Sequence, residues 1–286
     1  MIQDKIAKEW QDLSNTQKKI ADHIISNLGD AAFMTAEKLA EVCDVSLASV
    51  VRFANRLGFM RYSELQNEIR IALRDEYSQI DRFHRTGSLR DSNTTMKTVI
   101  RSMQADIKSI EETLSSLKED VLTAAVKHIA EARCVYVIGT HSEYGIACFF
   151  SSTLGWIRDN VILVGETHNP SFDYVADAGE KDVFIAMSFP PYPEATVRCF
   201  KAARSRGAHC IAVTDSPLSP LAALGHEVLY ARDEKLFFVD NSAPTVSLLT
   251  VLLVLVSNYD YEGSHRRLTN KQRYWEDIGF YYKDEK

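Results

Sequence analysis

At 286 residues the chain is too long for one small core and fits a head of fewer than about 100 residues joined to a larger domain. Hydrophobic residues at 45% and charged residues at 25% exclude a disordered protein. The net charge of −6 excludes nucleic-acid binding by the surface as a whole, so any such activity must rest on a local basic patch.

The opening MIQDKIAKEW spreads its charges at helical spacing, unlike a signal peptide. The longest apolar run, Val246 to Val256 interrupted by Ser247 and Thr250, falls short of the roughly 20 residues that span a bilayer. A cytoplasmic protein without a membrane partner is expected. Cys43, Cys134, Cys148, Cys199 and Cys210 form no C-x-x-C pair and sit mostly among apolar neighbours, as reduced structural thiols do. No metal and no cofactor is expected.

In chain order, Ile6, Trp10, Leu13, Ile20, Ile24 and Leu28 recur at helical spacing, with Ser14 placed to start a helix to Asn27 and Gly29 to punctuate it. Thr35 caps a short helix through Val42, and Cys43-Asp44-Val45 turns. Ser46 then caps a third helix to Leu57 before Gly58 stops it. From Ser46 to Arg74 five arginines (52, 56, 61, 70 and 74) face two glutamates (64 and 68), a local excess of positive charge. On the third helix Val50, Ala54 and Leu57 fall within about 60° of one another, while Ser49, Arg52 and Arg56 cluster about 150° away. A recognition helix needs this division, because one side must dock while short polar groups and arginines enter the major groove.

A mostly polar helix continues over 61–85, and RTGSLRDSNTT (85–95) has the composition of a linker. Helical spacing resumes from Met96 to Ala130. A β/α alternation follows: CVYVIG, a helix from Tyr144, VILV, DVFIAMSF, a helix from Glu194, HCIAVTD and EVLYA. Continuous apolar strands between helices predict a buried parallel sheet. The helix from Ala243 to Ser257 is apolar nearly all round, as expected of one buried between neighbours or subunits.

Two stretches carry a specific resemblance. LSNTQKKIADHII followed by MTAEKLAEVCDVSLASVVRFANRLGFMRYSELQ (residues 13–66) resembles the N-terminal domain of the RpiR family of bacterial regulators, through Val45, Ser46, Ser49, Val51, Arg52, Phe53, Leu57, Gly58 and Phe59. The loops after the first, third and fourth strands, with TDSPLSPLA and FFVDNSAP, resemble a sugar isomerase (SIS) domain over about 120–257. The resemblance implies an α + α/β chain: an all-α helix-turn-helix domain (1–80), a linker and connecting helix (81–118), a doubly wound parallel-sheet SIS domain (119–260) and a C-terminal tail (261–286). It also implies DNA contacts at Ser46, Ser49, Arg52 and Arg56, with Tyr62 as a phosphate contact, and a homodimer or homotetramer on double-stranded operator DNA.

Effector contacts are expected at Gly139, His141, Ser142 and Ser188, because ligands in doubly wound sheets sit beyond the C-terminal strand ends. A phosphosugar-binding SIS domain usually carries Gly-x-Gly-x-Ser and Ser-x-Ser-Gly-x-Thr loops. Here His141 stands near the second glycine, and Pro190, Pro191 and Pro193 stand where a serine, a glycine and a threonine belong. The expected protein is therefore a regulator of a catabolic operon whose small-molecule effector is a sugar phosphate or, given the altered loop, an unphosphorylated sugar acid or similar polar metabolite. No catalytic residue is assigned. The alternative, a phosphosugar isomerase with an accessory head, would need a base among Glu143, Glu166 and Asp215, which no motif fixes.

Overall fold

The computed structural model describes residues 2–76, 83–84, 95–165, 171–232 and 239–282. The linker expected at 85–95 lies outside them except for Thr95, as do Glu166 and His168. The chain divides into two compact units, the first chiefly Met1–Thr95 and the second Met96–Asp215, Leu221–Lys235 and Asp240–Lys286.

The first unit is helical: α1 (Ile2–Glu9), a 3-10 turn at Trp10–Asp12, α2 (Asn15–Ser26), α3 (Leu28–Ala31), α4 (Ala36–Val42), α5 (Leu47–Arg56) and α6 (Tyr62–Glu76). Capping side chains set the starts. Ser14 Oγ accepts from the Gln17 N–H while Gln17 Oε1 accepts from the Ser14 N–H, and Thr35 accepts from the Lys38 N–H. Asp44, at φ 52, makes the tight turn between α4 and α5, and Gly58, at φ +88, ends α5 in the left-handed conformation that glycine adopts freely. Gly29 does not break the chain as expected; it sits inside the single turn of α3. Ile6, Ile20, Ile24, Leu39, Val50, Phe53, Leu65 and Ile69 form one fully buried core. Each such side chain contributes roughly 1.5–3 kcal/mol by leaving water.

The second unit opens with α7 (Thr95–Ser116) and α8 (Glu119–Glu131), so the expected helix from Met96 to Ala130 is broken at Leu117–Lys118. There follow β1 (Val135–Ile138), α9 (Ser142–Ile157), β2 (Val161–Val164), α10 (Ser171–Ala176), β3 (Val183–Met187), α11 (Glu194–Ser205), β4 (His209–Thr214), β5 (Glu227–Tyr230), α12 (Ala243–Tyr259) and α13 (Tyr261–Asp277). The five strands are all parallel in the order β2-β1-β3-β4-β5. Alternate residues serve opposite faces. Val135, Val137, Ile185, Ile211 and Val213 pack with Ile129 of α8, Phe150 of α9 and Leu252 of α12. Tyr136, Ile138, Phe184, Ala186 and Cys210 pack with Val175 of α10 and Phe200 of α11.

Arg133, just before β1, grips Asp182, just before β3, through Nε (2.8 Å) and Nη2 (2.5 Å), and Asp182 also accepts from the Gly179 N–H. Burial pulls the Asp182 carboxyl upward, but the bonds from Arg133 and Gly179 outweigh it and hold the carboxyl below its ordinary value of 3.8. The stretch expected as a tail carries α13, fastened by Ser264 Oγ to the Ile157 carbonyl (3.3 Å) and by Arg267 to Asp159 (2.9 Å). All five cysteines are thiols, four of them buried. Burial pushes Cys199 up to about 11 and Cys210 up to about 12, well away from thiolate chemistry. Among the described residues no single helix is long and apolar enough to cross a membrane.

Candidate DNA interface and effector site

Helix α5 divides as its sequence predicts except at Ser49. Val50, Phe53 and Ala54 are buried, and Leu47, Val51, Arg52, Asn55 and Arg56 are exposed. Ser46 caps the helix by accepting from the Ser49 N–H at 3.2 Å, and its hydroxyl lies 2.8 Å from that of Ser49, which accepts from Arg52 Nη2 at 3.1 Å. The Ser49 side chain is itself buried, so its chemistry is to orient Arg52 across one helical turn rather than to meet solvent.

The other two expected contacts are engaged within the head. Arg56 donates from Nε to Glu9 Oε2 (2.9 Å) and pairs through Nη2 with Asp12 Oδ2 (3.3 Å). The Tyr62 hydroxyl donates to the Met34 carbonyl at 2.9 Å, and burial pushes its pKa up to about 12. Gln66 donates to that same carbonyl (2.7 Å) and Arg70 to the Ala32 carbonyl (2.9 Å), so three residues spaced by four along α6 bind the chain ahead of α4. Leu47 and Val51 are exposed beside Arg52. Helical spacing sets Leu47 on the side of Val50 and Ala54, so its exposure leaves no signal in the sequence.

In the sheet unit the strand order reverses between β1 and β3, and ligands of doubly wound sheets sit at that point beyond the C-terminal ends. The loops Gly139–Ser142 and Ser188–Pro193 flank it. Gly139 is required by close approach, since a Cβ there would lie 2.6 Å from the Glu143 carbonyl oxygen. His141, exposed, stands at φ 55 and ψ −125, a conformation that costs a non-glycine residue on the order of 1–3 kcal/mol. Ser142, the first residue of α9, lies within hydrogen-bonding reach of both Glu143 Oε1 (3.2 Å) and Asp240 Oδ2 (3.1 Å).

Ser188 is buried, and its Oγ has no hydrogen-bond partner among the described residues, although its N–H donates to the Val213 carbonyl and its own carbonyl accepts from the Thr214 hydroxyl. Nearby, Tyr192 donates to Asp215 Oδ1 (2.8 Å) and Arg232 Nη1 donates to the Asp215 carbonyl (2.9 Å). Arg232 places a guanidinium at this end of the sheet. Its position two residues beyond β5 could have revealed it by the same strand-end rule that selected Ser188.

Residues 1–79 match the helix-turn-helix domain of the rpiR family, and residues 128–256 match the SIS domain. An rpiR-type head and a SIS domain therefore stand in one chain. It is thus a helix-turn-helix transcription regulator with a SIS domain. Relatives include an HTH-type transcriptional regulator of Caldanaerobacter subterraneus, 25% identical over 89% of this chain and 90% of its own length. One from Haemophilus influenzae is 28% identical over 80% of this chain and 78% of its own. Among solved structures, the Vibrio vulnificus NanR protein complexed with ManNAc-6P shares the fold over 97% of this chain and 99% of its own, with a TM-score of 0.68 and 18% identity. The sugar isomerase domain of an RpiR transcription factor from Sphaerobacter thermophilus covers 61% of this chain and 97% of its own, with a TM-score of 0.59 and 24% identity.

Proposed function

We propose that this regulator acts in the cytoplasm on a catabolic operon, reading operator DNA through α5 and answering to a sugar-derived metabolite held beyond the C-terminal ends of β1 and β3. Arg52 is the base-reading residue, because it is exposed, offers a bidentate fork for guanine and is pre-oriented by Ser49. Ser46 and the N-terminus of α5 hold a phosphate, and Leu47 and Val51 meet thymine methyl groups. Arg56 and Tyr62 serve the head's own structure first, since a DNA contact would have to displace Glu9, Asp12 or the Met34 carbonyl.

The observation that carries the effector reading is the buried, partnerless Ser188 hydroxyl, a group that a ligand would satisfy. The ManNAc-6P bound by the NanR neighbour makes a sugar derivative the first class to test. Pro190, Pro191 and Pro193 remove N–H and hydroxyl donors from the second loop, and Glu143 and Asp240 flank Ser142 with negative charge. Both features disfavour a dianionic phosphate beside Ser142, and Arg232 offers a cation for the single carboxylate of an unphosphorylated sugar acid. The regulator works as a homodimer or homotetramer, for which the exposed Val251 and Val254 of α12 offer an apolar face.

The test is a thermal-shift panel of hexose and pentose phosphates against the matching sugar acids, with retardation of the chain's own promoter DNA as the second readout. Sugar acids should raise the melting temperature and alter DNA retention. A larger shift with a sugar phosphate overturns the effector class, and turnover of any sugar phosphate overturns the regulator reading.

A further inference from the structure

The opposite end of the sheet, at the N-terminal ends of its strands, carries a second constellation. His128 of α8, His209 at the start of β4 and Glu227 at the start of β5 place one ligand atom each within 4.8 Å of one another. His209 Nε2 lies 2.5 Å from Glu227 Oε2, and His128 Nδ1 lies 3.4 Å from Glu227 Oε1. The two imidazole rings stack with centroids 3.6 Å apart and planes 20° from parallel. Two ring nitrogens therefore converge on the two oxygens of one carboxylate.

The His128 Nδ1 atom is buried and makes no hydrogen bond among the described residues, although Glu227 Oε1 lies 3.4 Å away. A single divalent ion would take both nitrogen lone pairs and the carboxylate at once.

His226 supports the assignment from behind. It stacks on His209 at 4.5 Å, and its Nδ1 accepts from the Cys210 N–H, so its proton sits on Nε2 and it backs the cluster without ligating. A cleft of about 300 Å³, lined by His128, Arg133, Glu180, Lys181, Asp182 and His209, opens beside the cluster and can supply a water as fourth ligand.

We propose that His128, His209 and Glu227 form a binding site for one divalent transition-metal ion of the zinc class, clamping α8 to β4 and β5 at the end of the sheet remote from Ser188. Two imidazoles and a carboxylate are the donor set that zinc and cobalt take in tetrahedral sites with one open position. Ligation turns the stacked rings so that both lone pairs meet at one point, a motion the partly exposed His128 side chain permits.

The test uses the full chain, stripped with a chelator and titrated with Co²⁺ and Zn²⁺. The expected result is one equivalent of Co²⁺ per chain with the intense visible bands of tetrahedral cobalt, displaced by Zn²⁺, and a rise in melting temperature on loading. Loss of an outer-shell partner alone costs metal sites about 10–100-fold in affinity, so His128→Gln and Glu227→Gln should each lose at least that. His265→Gln, exposed on α13, should bind as the parent does. Circular dichroism before titration confirms that each variant is folded, and His128→Gln, at a partly exposed site, keeps the test usable if Glu227→Gln does not fold. Absence of tetrahedral bands in the parent, or equal affinity in the parent and a folded His128→Gln chain, would overturn the site.

Discussion

The head and the sheet unit place their candidate contact side chains in opposite ways. In the head, Ser46, Ser49 and Arg52 belong to one helix and bond to one another at spacings of three, so sequence neighbours are also chemical neighbours. In the sheet unit, Ser142, Ser188, Asp215, Arg232 and Asp240 reach one end of the sheet from five separate segments, and Ser188 arrives with its hydroxyl unspent. In the head the chain orients its own donors, whereas in the sheet unit a buried hydroxyl is left without a partner among the described residues.

Substitutions can break or sharpen that contrast. The largest effect should come from Phe53→Ala, which empties a fully buried site in the head and should cost about 3–5 kcal/mol in chemical denaturation, with loss of operator binding. Arg52→Ala should leave the fold intact yet cost about 1–3 kcal/mol of operator affinity, measured by gel retardation at one salt concentration. Equal affinity in parent and variant would remove Arg52 from the interface.

Asp182→Asn breaks a charge-assisted contact in the sheet unit. With Arg133 largely exposed, the cost should be about 1.5 kcal/mol at neutral pH. Because the folded Asp182 carboxyl lies below its ordinary value of 3.8, its stabilisation is present above that pH and is lost as pH falls through the folded value. The parent and variant denaturation curves should therefore converge on strong acidification, and parallel curves would exclude the linkage.

His141→Gly should be a gain, since relief of the positive φ outweighs the added chain entropy and raises stability by about 1 kcal/mol in thermal melts. Smallest of all, Ser188→Ala should change the apo stability by no more than about 0.5 kcal/mol, because the hydroxyl it removes has no partner. The same change should abolish the thermal shift given by the effector, and a variant that still responds in full would show that Ser188 faces no ligand.

Much of this was legible in the sequence where the chemistry is local. The caps at Ser14, Thr35 and Ser46, the turn at Asp44, the stop at Gly58 and the five parallel strands all follow from short-range pattern. What the pattern could not supply is partnership across the fold. Arg56 and Tyr62 have the right type and spacing for DNA, yet Glu9, Asp12 and the Met34 carbonyl claim them through contacts spanning many residues. The exposure that α5 grants Arg52 and denies Ser49 depends on how the helix seats in its core. For the same reason His128, His209 and Glu227 carry no spacing signal, since three elements bring them together. The segment from Tyr261 reads as a polar tail because its fastening residues, Ser264 and Arg267, find their partners at Ile157 and Asp159.

The three donors of α6, Tyr62, Gln66 and Arg70, have a kinetic consequence. By holding the carbonyls of Ala32 and Met34 they splint a stretch of irregular chain that would otherwise be the natural place for the head to open. Peptide bonds around residues 32–34 should resist proteases and exchange amide hydrogens as slowly as the helices on either side. The start of α4 is thereby held in place, so the head meets an operator with little ordering entropy left to lose.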